Sequence, residues 1–577
     1  MAGTPEATPI SDSSSDRAAS REHAIVAELL KKPLGARLLG YTRLAGPGWL
    51  QSAITLGAGT LASSLYLGVL AGCSLLWLQP LAMILGVVML SAIGYVALST
   101  GERPFRAINQ HINPVLGWGW ALATALANVV WCLPQFAVGT AAVRQNLLPR
   151  FVGKEAMVRL VGNERGGEIL GNVIVAGSIL IISIIVIWLY DKGKRGIRIF
   201  EGLLKAMVGV IIVCFFGVVI KMGVRGALDW GGIFRGHVPD LSLLTQPAAT
   251  FDEALAATGA YAGFWKDMIV AMQRDVMISA SAAAVGINMT FLLPYSMLAK
   301  GWNRNFRGAA VFDLSTGLFV PFVLVTACVV IASATQFHAR YDPSLVGGGA
   351  YVQIVDGRLK KEMGAESFAR LGDAERAARR EALPEAEKRI ATMLVKRDAF
   401  SLANSLKPLT GPVFSQYVFG IGVVGMALSS IIILMLISGF VICEMFDLPP
   451  EGGARRWACM LPAIGALGPF IWTGKAQFWL AVPTSVFGMV LAPIAYWTFF
   501  FMMNSRNLLG DALPRGGARV TWNTLMLVAV AFITFGSVWS IWSNARWWGL
   551  AGLGVFLGLA LVVHFARPRR RSSGESP

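Results

Sequence analysis

Charge is scarce in this chain. Only 14% of its 577 residues are Asp, Glu, Lys or Arg, where a soluble globular protein carries about a quarter. Acids are the scarcer sign, 33 against 50 basic residues, and histidine occurs only 5 times. Few side chains are therefore available for acid–base pairs or metal clusters. The 6 cysteines (Cys73, Cys132, Cys214, Cys328, Cys443 and Cys459) lie in or beside apolar runs and form no CxxC pair. They read as small packing residues, not disulfides or metal ligands. There is no nucleophile motif, phosphate loop or Walker lysine, which argues against an enzyme or an ATP-driven pump, and nothing in the chain asks for a cofactor. The net charge of +17 comes without a glycine–aromatic RNA motif or zinc spacing, so nucleic acid is not the expected partner. No apolar stretch follows a short basic head near the start, so no cleavable signal is visible.

What the chain has instead is apolar length. It is 55% hydrophobic, and stretches such as 173–189 and 418–443 carry no charge at all. About 20 apolar residues in a helix cross the hydrocarbon core of a bilayer. Spans are predicted at 46–71, 76–99, 116–143, 168–190, 199–222, 276–299, 309–335, 415–445, 456–473, 476–503, 520–542 and 547–566. The expected class is an all-α integral membrane protein of about twelve transmembrane helices, with the lipid bilayer as its solvent. Short basic clusters flank these runs: Lys31, Lys32 and Arg37; Lys192, Lys194, Arg195 and Arg198; Lys300, Arg304 and Arg307; Arg567, Arg569, Arg570 and Arg571. With an even number of spans they all fall on one side, the cytoplasmic side by the positive-inside rule. Both termini are then cytoplasmic, in a plasma or bacterial inner membrane. Residues 1–40 read as a disordered cytoplasmic tail, 41–566 as the transmembrane domain and 567–577 as a basic tail. The long connections 223–275 and 336–414 fall outside the cytoplasm, and 366–396 reads as an amphipathic helix broken at Pro384.

Helix breakers inside spans carry the functional signal. Unwound backbone at membrane depth survives only where protein or a cavity supports it. The first span contains Gly46-Pro47-Gly48 and then Gly57-Ala58-Gly59-Thr60. The sixth contains Gly286-Ile287-Asn288-Met289-Thr290, with Pro294 a turn later. Glycine and proline are common in membrane helices, but breaks at matching places in two halves point to an inverted-repeat transporter. The repeats would be 46–222 and 276–503, followed by two extra helices in 520–566. Gln51 and Asn128 are candidates for a permeation path, although a polar stripe on the third span (Asn128, Trp131, Cys132 and Gln135) is equally explained by helix–helix hydrogen bonding. Asp313 and Glu444, near span ends, read as structural.

Several motifs, in order, resemble one family. Gly46-Pro47-Gly48-Trp49-Leu50 opens the first span and Ala62-Ser63-Ser64-Leu65 follows. The third span has Ala123-Thr124-Ala125-Leu126-Ala127-Asn128, the sixth ends in Ser296-Met297-Leu298 and the seventh opens with Phe312-Asp313-Leu314. The eighth runs from Gly422-Val423-Val424-Gly425 through Ser429-Ser430 to Glu444-Met445-Phe446, and Asn504-Ser505-Arg506-Asn507-Leu508-Leu509-Gly510 closes the tenth. Over most of 40–510 outside the long loops, the chain resembles the Nramp (natural resistance-associated macrophage protein) transporters. The resemblance implies a LeuT-like fold of two inverted five-helix repeats and a secondary, metal ion transporter.

Where that family keeps its ligands, this chain departs from it. The family's first-span Asp-Pro-Gly-Asn falls on Gly57-Ala58-Gly59-Thr60, its sixth-span Met-Pro-His on Asn288-Met289-Thr290, and its third-span Asp and Glu on Ala125 and Asn128. Met289 stands one residue off, which turns a side chain about 100° around a helix. The candidate substrate site is therefore Gly57, Ala58, Gly59, Thr60, Gly286, Asn288, Met289 and Thr290, all neutral. Divalent ions require anionic or strongly donating ligands, and membrane proton relays use Asp, Glu and His. The expectation is a transporter of this type that does not bind manganese or iron in the usual way. Open alternatives are a small polar solute or a monovalent cation as substrate, metal held through Met289 and carbonyls, or a non-transporting sensor or scaffold that uses 336–414 as its surface.

Overall fold

Backbone amides and carbonyls in hydrocarbon must pair within the chain, and the apolar runs meet that demand as helices. The computed structural model describes residues 13–44, 46–190, 193–449, 452–471 and 481–566, and among these the secondary structure is helical throughout. Among the described residues, nine helices are long and apolar enough to cross a membrane, and the bent pair Gly48–Thr55 with Ala58–Ala71 brings the number up to 10. The eighth span, Phe419–Met445, is the central post, with Ile431, Ile432, Ile433, Met435 and Ile437 fully buried. The third span, Pro114–Ala142, packs along it; Asn128 on the third donates to Ser438 on the eighth at 3.0 Å.

Several elements differ from the sequence reading. The sixth span begins at Ala262, not 276, because its charged residues Lys266, Asp267, Arg274 and Asp275 interrupt the apolar pattern without interrupting the helix. The ninth expected span is not one α-helix. Gly453–Cys459 is followed by a 3₁₀ stretch, Leu461–Leu467, and then Gly468–Ile471; residues 472 and 473 lie outside the described residues, as do 476–480 of the tenth span. Pro462 and Pro469 remove backbone donors here, and Gly465 and Gly468 press directly onto Cys132 and the Leu133 carbonyl of the third span. The last two expected spans form the continuous stretch Gly516–Ala566, kinked at Arg546, where φ is 50°.

The expected disordered tail is helical over much of its length. Ser13–Leu29 and Leu34–Tyr41 are helices, while residues 1–12 and the basic tail 567–577 lie outside the described residues. An amphipathic stripe anchors the first of these helices. Val26 is fully buried, Trp302 donates to the Glu22 carboxylate at 3.2 Å, and the His23 ring meets the Gly301 carbonyl at 3.1 Å.

The 336–414 connection folds as a helical cap. It contains Gly349–Met363, Ala365–Arg370, Asp373–Glu381, Glu385–Leu394 and Ala399–Thr410, with the expected break before Pro384 and a further one at Leu371-Gly372. Its centre is polar. Arg358 clasps Glu387 with two hydrogen bonds, at 2.6 and 3.0 Å, and lies over the Tyr261 ring. Trp265 of the sixth-span helix donates to the same Glu387 carboxylate at 3.2 Å, which ties the cap to the span.

Candidate substrate site

The first span is interrupted where its glycines cluster. Gly48–Thr55 ends at Leu56, Ala58–Ala71 begins after Gly57, and the two halves meet at a bend of 61°. The first half starts on a carboxylate: the Gly48 N–H donates to Asp313 at 2.5 Å, an acid at the positive end of a helix. Asp313 is thus structural, and its bulk against Gly46 and Gly48 leaves no room for a Cβ there. Glu444 likewise pairs with Arg103, at 2.6 Å. The sixth span breaks between Ala282 and Ile287.

The two breaks face each other. Thr60 donates toward the Ala283 carbonyl at 3.5 Å, the Thr55 hydroxyl meets the Met289 sulfur at 3.0 Å, and Ser63 bonds Ser279 at 2.8 Å. Between the breaks is a cavity of about 50 Å³, lined by Ile54, Thr55, Gly57, Gly59, Thr60, Trp131, Pro134, Gln135, Ala282, Ala283, Gly286, Asn288, Met289, Leu434 and Thr484. No Asp, Glu, His or Cys is among them. Among the described residues no cluster of three or more such side chains is placed to hold a metal ion.

Six of the candidate residues come together here: Gly57, Gly59, Thr60, Gly286, Asn288 and Met289. Met289 corrects the register argument. Its one-residue offset does not turn it away, because Ile287–Ala299 begins only after the unwound stretch and its first turn presents both Asn288 and Met289. Ala58 and Thr290 stand behind the wall. The Ala58 N–H is taken by Gln135, and Thr290 accepts from Trp120 while bonding the Ile287 carbonyl. Asn128 is also outside the cavity, committed to Ser438. Gln51 lies one turn before Thr55, fully buried, with both amide atoms unpartnered among the described residues. Such a group needs water or solute to satisfy it.

Trp131, Gln135 and Ser430 fill the space that larger ligands would need. A Cβ on Gly57 would come within 2.6 Å of Ser430 Oγ and 2.8 Å of Gln135 Nε2. Its φ of −125° suits any residue, so space and not backbone geometry demands glycine. The Trp131 ring lies directly against Gly286 and Gly488 and donates to the Thr484 carbonyl at 2.6 Å. The polar stripe on the third span did hold the signal for Gln135 and Trp131, but only the fold aims those two into the cavity and Asn128 elsewhere.

The family model for natural resistance-associated macrophage protein-like sequences matches residues 48–352 and 386–543, more than half of the chain. The chain belongs to the Nramp-like family. Curated relatives include the divalent metal cation transporter MntH of Agrobacterium fabrum, 24% identical over 202 residues, and metal transporter Nramp6.2 of Populus trichocarpa, 27% identical over 232. These alignments cover 35% and 40% of this chain and only 38% and 36% of the relatives' own lengths. Crystal structures of the Eremococcus coleocola manganese transporter, one a point variant and one with an aromatic bis-isothiourea compound, match with TM-scores of 0.57 and 0.55. Each match covers 92% of this Nramp-like chain and 93% of the other, at 12% and 13% identity, and establishes the all-α, LeuT-like fold. Family and fold place the chain among multi-pass, Nramp-like membrane proteins.

Proposed function

We propose that this Nramp-like protein is a secondary transporter whose substrate occupies the cavity between the broken first and sixth spans, and that manganese and iron are not bound there in the family's usual way. The carrying observation is the cavity wall: two facing helix breaks, retained as in a transporter, around a space with no carboxylate or imidazole. The Met289 thioether is the one soft donor. A lone thioether with hydroxyls and amides compensates poorly for stripping water from a divalent ion. Gly57, Gly59, Thr60, Gly286, Asn288 and Met289 are assigned to the substrate, with Ala58 and Thr290 supporting them and Gln51 on the path toward the first-span N-terminus. The proposal includes twelve spans arranged as inverted repeats 46–222 and 276–503.

The deciding test is uptake into proteoliposomes across manganese, magnesium, monovalent salts and small polar solutes. Flux of at least one non-manganese substrate is expected, blocked by Gly286→Leu, which would collide with Trp131, and manganese flux is not. Manganese uptake that survives Met289→Ala would overturn the altered-substrate reading. No flux of any solute would overturn transport itself.

A further inference from the structure

Two amide side chains, Gln135 and Asn288, give the cavity its polarity. An N–H can only donate, so whichever amide atom faces it must be the oxygen. Gln135 Oε1 accepts from the Ala58 N–H at 2.9 Å, and Asn288 Oδ1 accepts from the Met289 N–H at 2.8 Å. Both oxygens therefore accept from backbone and keep one lone pair each, while both NH₂ groups are the free ends of cavity-lining side chains. Asn288 Nδ2 is buried with no partner among the described residues, on a residue only 1% exposed. Gln135 Nε2 stands 2.8 Å from the place where a side chain on Gly57 would begin. Ser430 Oγ lies 2.6 Å and Gln135 Oε1 3.2 Å from the same place, at the position where the resembling family has its carboxylate.

The backbone adds donors of its own beside the two carbonyl ends of Gly48–Thr55 and Ala262–Ala282. Two helices, Ala58–Ala71 and Ile287–Ala299, begin at the cavity, and helix N-termini present amides and partial positive charge. The opposing carbonyl end of Gly48–Thr55 is already engaged. Ser52 accepts from Leu56, Ala53 from Ser429 at 2.8 Å, Ile54 from Ser430 at 3.1 Å, and Thr55 from Gly57 and Thr60. At the carbonyl end of Ala262–Ala282, Ser279 accepts from Ala283, Ser281 from Ala284, and Ala283 from Thr60 at 3.5 Å. The cavity of about 50 Å³ has room for a small ion.

We propose, building on the transporter reading, that this site takes a small monovalent inorganic anion of the halide class, held by Gln135 Nε2, Asn288 Nδ2 and N-terminal amides of the two second-half helices other than those of Ala58 and Met289. The polarity of the family's site is inverted, from acceptors for a cation to donors for an anion.

The purified full-length protein is titrated with sodium bromide against sodium gluconate at constant sodium and ionic strength, with melting temperature as readout. A saturable, bromide-specific rise is expected. Asn288→Asp, equal in shape but acceptor-bearing, should weaken the apparent affinity by at least roughly tenfold, the scale of one hydrogen bond to a charged group. Because that variant buries a carboxylate and can fail to fold, bromide anomalous scattering from crystals of the unmodified protein is the second measurement, with a peak expected beside Asn288 and Gln135. Absence of that peak, or a melting temperature that does not change as bromide replaces gluconate, overturns the anion assignment. Bromide flux is then measured in proteoliposomes. Cation flux without anion binding sinks this inference and leaves the transporter reading standing. Anion binding without flux of any solute does the reverse.

Discussion

Gly57 is the residue on which the site turns. Ser430 is anchored on the Ile54 carbonyl and Gln135 on the Ala58 N–H, so neither can withdraw from an added Cβ without losing a bond that satisfies the unwound backbone. Gly57→Ala is expected to destabilise the protein by about 1–3 kcal/mol, the usual cost of overpacking. Combining it with Ser430→Ala should cost less than the sum of the two single changes, with a coupling of about 0.5–3 kcal/mol between touching residues. Thermal melts of the four proteins in the cycle measure this, and strict additivity would show that the two side chains do not compete for that space. The same geometry explains why restoring the family's Asp at this position cannot succeed alone: Gln135 already fills the volume a carboxylate would need.

At the scale of elements, the cap is held by a pair that is costly to break. Arg358 and Glu387 are 3% and 1% exposed; removing Arg358 leaves Glu387 as an uncompensated buried charge, whereas Arg358 has a second partner in the half-exposed Glu362. Arg358→Met should cost about 3–5 kcal/mol, and replacing both partners (Arg358→Met with Glu387→Leu) should recover most of it. Cap-directed proteolysis alongside melting is the check; a double variant as labile as the single one would mean the pair is needed for more than charge balance. This element was half legible in the sequence. The alternation of acids, bases and alanines gave the helices and Pro384 gave a break, but nothing local said that Arg358 would find Glu387, 29 residues on, beneath Trp265. The broken spans were legible for a different reason: Gly57, Gly59 and Gly286 are punctuation that acts within a turn or two. The ninth expected span was misread because its apolar composition satisfied the length rule while its prolines and glycines set the backbone. The N-terminal helices were missed because a polar, Ser-rich stretch gives no hint of the Trp302 and Phe306 surface that receives it.

Across the whole molecule, the loops sort onto two faces without reference to any membrane. On one, the cap meets the sixth-span helix through Trp265, Thr250 reaches His338, and the turn at Trp77 bonds Gly236. On the other, the N-terminal helix meets Gly301 and Trp302, Lys300 pairs with Glu201 at 3.0 Å, Arg103 meets Glu444, and Tyr95 bonds the Ala512 carbonyl. The basic residues Lys31, Lys32, Lys300, Arg304 and Arg307 belong to this second face. Positive charge beside short loops is retained in the cytoplasm, so the second face is expected there and the cap outside. Single cysteines at two exposed positions, Ala378→Cys in the cap and Asn305→Cys on the opposite face, provide the test in a background where the six native cysteines are replaced. A membrane-impermeant maleimide added to intact cells should label the first and not the second, and labelling in inverted vesicles should reverse. Reversed labelling in intact cells would place the termini outside and would leave the basic clusters in need of another explanation. The assignment also says which side of the site would face the cytoplasm. Gln51, buried one turn before Thr55 with its side-chain amide unpartnered among the described residues, on the half-helix that starts at Asp313, would lie on the cytoplasmic side of the site. The cap, tied to the sixth-span helix at Trp265, would guard the outer side.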